Sequence, residues 1–326
     1  MTSPTRLAFD QVLARTASAL MAAGASAVAA RATARALVFA EADGHAGHGL
    51  VRLAGYTAQL RAGKIRGRAE PALTHSRAAA AAVDACNGFA YPALDLAIDW
   101  LIRVAPVQGI AAVGVRRSGH CGAMGLVVEQ IARHGLIGFM VANTPAAMAP
   151  WGGRRPLLGT NPIACAMPYA DDPVVIDLSL SKVARGHVLA AQLHGEPIPE
   201  GWALDADGAP TTSADSALRG TMVPLGAAKG AALALMVEAL AAGLTGSSYA
   251  FDASSFLDEQ GPPPGTGQFL LAIDPSACGG GIDHLAKLFG EIAGEDGARL
   301  PGVSRFARRR AAQAEGLLVE PGWLAA

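Results

Sequence analysis

The feature that most constrains this chain is the alternation of two hydrophobic periods. Strands are predicted at residues 83–88, 109–115, 135–141, 174–177 and 269–273, with near-continuous apolar runs at 109–115 and 135–141. Such runs suit strands covered on both faces. Between them lie segments with apolar residues three and four apart, at 93–104, 126–133, 181–193 and 230–244. In the last, Leu233, Met236, Val237 and Leu240 share one helical face. Strands interleaved with helices predict an α/β fold. Ahead of them, residues 5–42 predict two helices broken at Gly24 and Ser26, followed by a short helix through Arg52 and Tyr56. Pro71 and its successors read as a connection into the sheet. Five prolines between Thr144 and Pro168 argue against regular structure there, and residues 195–228 and 247–267 read as turns and loop. Helices are predicted at 283–292 and 303–313. The run Arg305, Arg308, Arg309, Arg310 reads as a solvated helix face. These readings divide the chain into an N-terminal helical segment (1–75), an α/β region (76–300) and a C-terminal helix and tail (301–326) that packs back on the first.

Composition narrows the function. Of 326 residues, 51% are hydrophobic and 16% charged, with a formal net charge of −1. That balance excludes both disorder and an electrostatic grip on nucleic acid. Cys86, Cys121, Cys165 and Cys278 form no CxxC pair or zinc-like spacing, so they read as reduced thiols. Neither a signal peptide nor a membrane span is predicted, which places the protein in the cytoplasm without membrane attachment.

Four segments could carry chemistry. Residues 117–125 follow a predicted strand, open a helix and space Gly119, Gly122 and Gly125 as GxxGxxG around His120. Free amides at a helix start favour anions, although a tight strand–helix turn explains the glycines equally well. The spacing is not the dinucleotide GxGxxG. His45, His48 and Arg52 form the second group. On a helix His48 and Arg52 would share a face, so that His48 could exchange a proton while Arg52 holds a carboxylate. Gly159-Thr160-Asn161-Pro162 is a shaped turn. Lys229 sits at a helix start, where a cation is unfavourable unless it meets an anion. No GxSxG, HExxH or Walker A motif occurs, and no metal site is expected.

Together these stretches resemble the malate/L-lactate dehydrogenase type 2 family of NAD(P)-dependent oxidoreductases. The resemblance runs through GHGLVRLAGY (47–56), SGHCGAMG (118–125), NTPAAMAPWGGRRPLLGTNPIACAMP (143–168), DLSLSKVARG (177–186), IPEGWALDADGAPTT (198–212), PLGAAKGAALALMVEAL (224–240), LTG (244–246) and RLPG (299–302). The 143–153 stretch and Gly-Phe-Ala-Tyr-Pro-Ala look most like the branch that reduces Δ1-piperideine-2-carboxylate and Δ1-pyrroline-2-carboxylate. The resemblance implies an α/β fold that is not the Rossmann fold, with a mixed sheet and an N-terminal helical segment. It also implies a homodimer with sites near the subunit interface. It implies His48 as the acid/base and Arg52 as the carboxylate anchor, with His120 and Thr160 beside the substrate. His120, Cys121, Gly122, Ala123, Met124, Thr160, Asp177, Leu178, Ser179, Lys229, Gly302 and Arg305 would line the cofactor, NADPH or alternatively NADH.

Two positions depart from the family pattern. A serine normally precedes the catalytic histidine, where this chain has Gly47; the imino acid branch has an aspartate where this chain has His187. Gly47 and His187 thus mark the place of a missing relay around His48. If His187 lies beside His48, the two imidazoles titrate as a pair. The expected function is NAD(P)H-dependent reduction of a small cyclic 2-imino acid, with His48 as proton donor. A 2-hydroxy acid dehydrogenase is the alternative, and a catalytically impaired NAD(P)-binding paralogue a further one. The expected ligand is a small 2-imino or 2-oxo acid.

Overall fold

The computed structural model describes residues 4–320, 322 and 323. The ends of the first and third expected segments, residues 1–3, 321 and 324–326, lie outside the described residues. In chain order the elements are β1 (Thr5–Leu7), α1 (Phe9–Ala22), α2 (Ala27–Ala42), α3 (Leu53–Arg61), β2 (Ala72–Ser76), β3 (Ala80–Asp84), α4 (Ala90–Gln108) and β4 (Ile110–Ser118). Then come α5 (Gly125–Ala132), β5 (Ile137–Ala142), β6 (Ile163–Met167), β7 (Val174–Leu178), α6 (Arg185–His194), β8 (Ala203–Leu204), β9 (Pro210–Thr211), α7 (Ala214–Arg219) and β10 (Thr221–Met222). The chain continues through α8 (Ala228–Glu238), β11 (Thr266–Ile273), α9 (Ile282–Gly294), α10 (Val303–Glu315) and β12 (Leu317–Val319).

A seven-stranded mixed sheet in the order β2-β3-β4-β11-β5-β6-β7 is the frame. Only β3 and β4 run parallel; the other neighbours are antiparallel. One face packs Leu94, Ile98 and Leu101 of α4 and Val128 and Ile131 of α5 against Val113, Val115, Met140 and Leu270. The other face carries Val141, Met148, Leu180, Val188, Ala234 and Val237, beneath α6, α7, α8 and a small β10-β8-β9 sheet. With both faces covered, the central strands are apolar throughout, the pattern visible in the sequence. A helical layer of α1, α2 and α3 joins α4 through Leu37, Leu53, Tyr56 and Phe89. Ser26 caps α2 by accepting the Ala29 N–H at 3.2 Å. Antiparallel pairing of β1 with β12 closes the structure. Among the described residues, no helix is long and apolar enough to cross a membrane.

Several expectations are corrected. β6 lies inside the proline-rich stretch, bracketed by Pro162 and Pro168, which end a strand without interrupting it. Residues 195–228 hold three short strands and α7 rather than turns alone. Residues 72–76 form edge strand β2. β3 stops at Asp84 because its carboxylate captures the Cys86 N–H at 2.8 Å, and Cys86 and Asn87 take left-handed backbone. On α8 the buried hydrophobic positions are Ala231, Ala234 and Val237, whereas Leu233 and Met236 are exposed. A Cβ at Gly230 would collide with the Leu225 backbone, so α8 sits too close to its neighbours for large inward side chains.

The arginine run of α10 is split: Arg308 and Arg310 are exposed as expected, but half of it is not a solvated face. Arg305 and Arg309 are buried with Asp43 at the end of α2 and Glu129 of α5. Arg309 grips both carboxylates bidentately, at 2.6 and 2.7 Å to Asp43 and 2.7 and 2.8 Å to Glu129. Burial disfavours the ionised Glu129, but its bonds and attraction to Arg309 and Arg305 more than offset this and hold its carboxyl below the ordinary value.

Candidate active site

The loop after α2 carries the first site residues. Helical spacing predicts one face for His48 and Arg52; the structure instead shows two 3₁₀ turns, Ala46–His48 and Leu50–Arg52. Gly49 separates them and lies so close to the Glu41 carboxylate that a Cβ would collide with it. Glu41 in turn accepts the Leu50 N–H at 3.0 Å. Arg52 folds back, its Nε donating to the Gly47 carbonyl at 2.7 Å. Its two terminal nitrogens have no acceptor among the described residues, so they are free for an anion. His48 is largely buried and its Nδ1 has no partner. Burial, then the charges of Arg52 and His45, lower its pKa from 6.5 to about 4. Nothing lies within 4 Å of where a Cβ would stand on Gly47, so the missing serine leaves open space.

β4 delivers the second group. After Ser118 the chain runs through Gly119–Met124 into α5. The His120 ring stacks on His48, with centroids 5.3 Å apart and planes at 12°. Its Nδ1 lies 2.6 Å from the Tyr56 hydroxyl, which lies 2.9 Å from the Tyr91 hydroxyl. Burial, then Arg52 and His48, push His120 well below its ordinary pKa. Burial pushes the Tyr56 hydroxyl and the Cys121 thiol each up to about 12. Gly122 has φ +70°, and a Cβ there would stand 2.9 Å from the Tyr91 hydroxyl. The first α5 amide, Gly125 N–H, is taken by Asp177 at 2.7 Å. The amides of residues 120–124 have no acceptor among the described residues.

The remaining candidates come from the β5–β6 connection, the end of β7 and the starts of α8 and α10. Thr160 follows Gly159, whose α-carbon is crowded by Thr144 and Asn161. The Thr160 N–H donates to Thr144 Oγ1 at 2.9 Å, and the two hydroxyls lie 3.3 Å apart. Asn161 takes left-handed backbone (φ 40°). Behind it, buried Glu238 receives Asn143 at 3.0 Å, Asn161 at 2.8 Å and the Ala250 N–H at 2.7 Å. Asp177 and Leu178 end β7, and the Ser179 hydroxyl lies 2.7 Å from that of Ser181. Lys229 is exposed in the first turn of α8, just after Ala227 at φ 57°. Gly302 opens α10 in left-handed conformation.

Two expected site residues stand elsewhere. His187 packs near Trp202, with centroids 6.2 Å apart, and the cations acting on His48 are Arg52 and His45. Within the chain there is thus no His48–His187 pair; residue 187 occupies the first turn of a helix anchored to a different part of the core. Arg305 is held by Asp43 and Glu129, which leaves it a structural cation rather than a free one. Sequence reasoning missed Tyr91, Phe256, Lys64 and Glu238. The Phe256 ring lies 5.4 Å from His120. Buried Lys64 holds that loop by donating to the carbonyls of Ser255, Asp258 and Gln260 at 2.8, 2.9 and 2.6 Å. Its signal was available: Lys64 is one of only four lysines in an arginine-rich chain. Among the described residues, no three metal-ligating side chains cluster.

Comparison with known proteins places this geometry. The family model described as malate/L-lactate dehydrogenase matches residues 7–326. The (2R)-3-sulfolactate dehydrogenase (NADP(+)) of Chromohalobacter salexigens is 51% identical over 295 residues, 90% of this chain and 88% of that protein. A Δ1-pyrroline-2-carboxylate/Δ1-piperideine-2-carboxylate reductase of Pseudomonas aeruginosa is 41% identical over 89% of this chain and 88% of its own. The crystal structure of Δ1-piperideine-2-carboxylate reductase from Pseudomonas syringae pvar. tomato superposes with a TM-score of 0.92 at 36% identity, covering 98% of each chain. With a mixed sheet, a family match along nearly its whole length and relatives of this similarity, the chain belongs to the malate/L-lactate dehydrogenase family of NAD(P)-dependent oxidoreductases.

Proposed function

We propose that the protein interconverts a small anionic 2-hydroxy acid and its 2-oxo acid with NADP(H), and that 3-sulfolactate represents its substrate type. The observation that carries this reading is the 51% identity to a sulfolactate dehydrogenase, against 41% to the imino acid reductase. The lack of the branch's aspartate at 187 points the same way. Arg52 offers two free nitrogens, which suits bidentate capture of the substrate carboxylate. His48, held neutral by burial, suits the removal of the C2 hydroxyl proton. Burial is the larger cause of the low His48 pKa; an anion beside Arg52 offsets that cation's smaller share and so raises the basicity of the base.

The residues also fit a nicotinamide nucleotide. The amides at 120–124 have no carbonyl or carboxylate acceptor among the described residues, and nothing lies within 4 Å of where a Cβ would stand on Gly119, so an anionic group has room to approach them. Bound NADP(H) supplies or accepts the hydride at C2. His120 to Met124, Thr160, Asp177 to Ser179, Lys229 and Gly302 are the residues proposed to hold it. The second reading is reduction of a cyclic 2-imino acid, favoured by the 41% relative and the TM-score of 0.92. We further propose that the protein works as a homodimer.

The test follows NADPH absorbance with 3-sulfopyruvate, oxaloacetate, pyruvate, Δ1-pyrroline-2-carboxylate and Δ1-piperideine-2-carboxylate, and NADP⁺ reduction with (2R)-3-sulfolactate. Preference for the sulfonated pair is expected. Turnover confined to the imines overturns the first reading for the second. No turnover, with intact NADPH binding, establishes a binding paralogue instead.

A further inference from the structure

We propose that Tyr91 and Tyr56 are positioning residues that hold His120 as its Nε2–H tautomer, so that a neutral imidazole presents a hydrogen-bond donor to the oxygen on C2 of the substrate. This rests on the oxo acid reading above. The argument is one of satisfying buried donors. Tyr56 and Tyr91 are buried, and their hydroxyls form a single file ending at His120 Nδ1. Two orderings of the protons are open. In the first, Tyr91 donates to Tyr56 and Tyr56 donates to Nδ1, so both hydroxyl protons are used. In the second, Nδ1–H donates to Tyr56 and Tyr56 to Tyr91, which strands the Tyr91 proton; that hydroxyl has no other partner among the described residues. A stranded buried donor is disfavoured, so the first ordering prevails. It leaves Nδ1 as acceptor and places the ring proton on Nε2.

The surroundings fix the ring as well as the proton. His120 is packed between the His48 ring and the Phe256 ring, which resists a flip about its own axis. Phe256 is itself tied down, its carbonyl accepting from Gln59 Nε2 at 3.1 Å, within the loop that Lys64 holds. The groups facing His120 are His48, Arg52, Tyr56, Tyr91 and Phe256; none is an anion that would favour an imidazolium. Glycine at 122 gives the Tyr91 hydroxyl its room.

The division of labour follows. As C2 is reduced, its oxygen gains negative charge, and His120 Nε2–H stabilises that charge through a hydrogen bond with no bond made or broken at the ring. The proton that ends on the oxygen comes from His48. In the oxidative direction His48 takes it back.

The experiment records the imidazole nitrogen spectrum of ¹⁵N-histidine-labelled protein without substrate, with His120 assigned through a His120→Asn sample. The wild type is expected to show a neutral Nε2–H tautomer for His120 across the neutral pH range. Tyr56→Phe should give mixed tautomers and lower kcat about 10- to 100-fold with KM little changed, and Tyr91→Phe a smaller loss in the same direction. An Nδ1–H tautomer or an imidazolium in the wild type overturns the proposal, as does Tyr56→Phe retaining both signature and kcat. Because the spectrum needs no substrate, it decides the tautomer even if the oxo acid reading fails in the turnover panel.

Discussion

Gly47→Ser introduces, beside the proposed acid/base His48, the serine that the family pattern was expected to place there, and the structure sets the size of its effect. The substitution meets no obstacle: no atom lies within 4 Å of the new Cβ, and the glycine does not use left-handed backbone. His48 Nδ1 is buried without a partner, so a serine hydroxyl able to accept from the imidazolium would favour the charged form. A hydrogen bond to a charged group contributes about 1.5–3 kcal/mol, equivalent to roughly one to two pKa units. His48 would then move from about 4 to between about 5 and 6. At neutral pH its protonated fraction rises about 10- to 100-fold, so 2-oxo acid reduction should accelerate towards that limit where protonation controls the rate. In the oxidative direction the neutral base is needed, so the acid limb of kcat/KM should move up by about one to two pH units. Full pH–rate profiles in both directions, for wild type and variant, make the measurement. A folded variant whose acid limb stays in place would refute the reasoning that the unpaired Nδ1 sets the basicity of His48.

Three further outcomes follow from buried polar groups. Glu238→Gln turns an acceptor of three donors into a group whose NH₂ faces one of them, and should cost about 3–5 kcal/mol in a denaturant titration. Arg309→Met leaves Asp43 and Glu129 short of their bidentate partner; a loss of about 3–5 kcal/mol, seen as a Tm drop on the order of 10 °C, is expected, and added to Asp43→Asn it should be clearly less than additive. His48 has a folded pKa below its unfolded value, so its contribution to stability is complete above pH 6.5 and is lost as the pH falls towards about 4. That loss is at most roughly 3 kcal/mol, and urea midpoints measured across this range should fall less steeply in His48→Gln.

The alternation of apolar runs and helical periods was enough to read the α/β class, because burial of both sheet faces writes itself into local sequence. β4, β5 and β11 show it. What stayed hidden depends on distant partners. β6 escaped because its flanking prolines look like loop, and only its pairing with β5 and β7 makes it a strand. Arg305 and Arg309 read as solvent-facing because the carboxylates that bury them come from α2 and α5. In the candidate site, His48, Arg52 and His120 stood out by residue type, although the helical spacing read for His48 and Arg52 is replaced by two 3₁₀ turns, and the structure brings His48 and His120 into contact. Tyr91 and Phe256 did not, since an aromatic carries no local mark of its long-range partner; Lys64 stood out as one of only four lysines, but not for what it holds. His187 shows the converse: a substitution can stand out in sequence while its side chain packs elsewhere.

The clamp on Asp43 also imposes an order of assembly. The His48 loop leaves the ribosome early, yet the arginine that grips Asp43 lies 266 residues further along the chain. Until α10 is made, Asp43 and Glu129 have neither Arg305 nor Arg309 to neutralise them and repel one another across the gap between α2 and α5. Closing so long a loop is slow; Arg133, one turn along α5, offers Glu129 a local partner, but Asp43 has none among the described residues before α10. The segment proposed to carry the proton is therefore among the first to be synthesised, and a chain halted before residue 303 would hold every residue of the His48–His120 stack, with Glu41 and Tyr56 to bind them, but without the arginines that neutralise Asp43 at its edge.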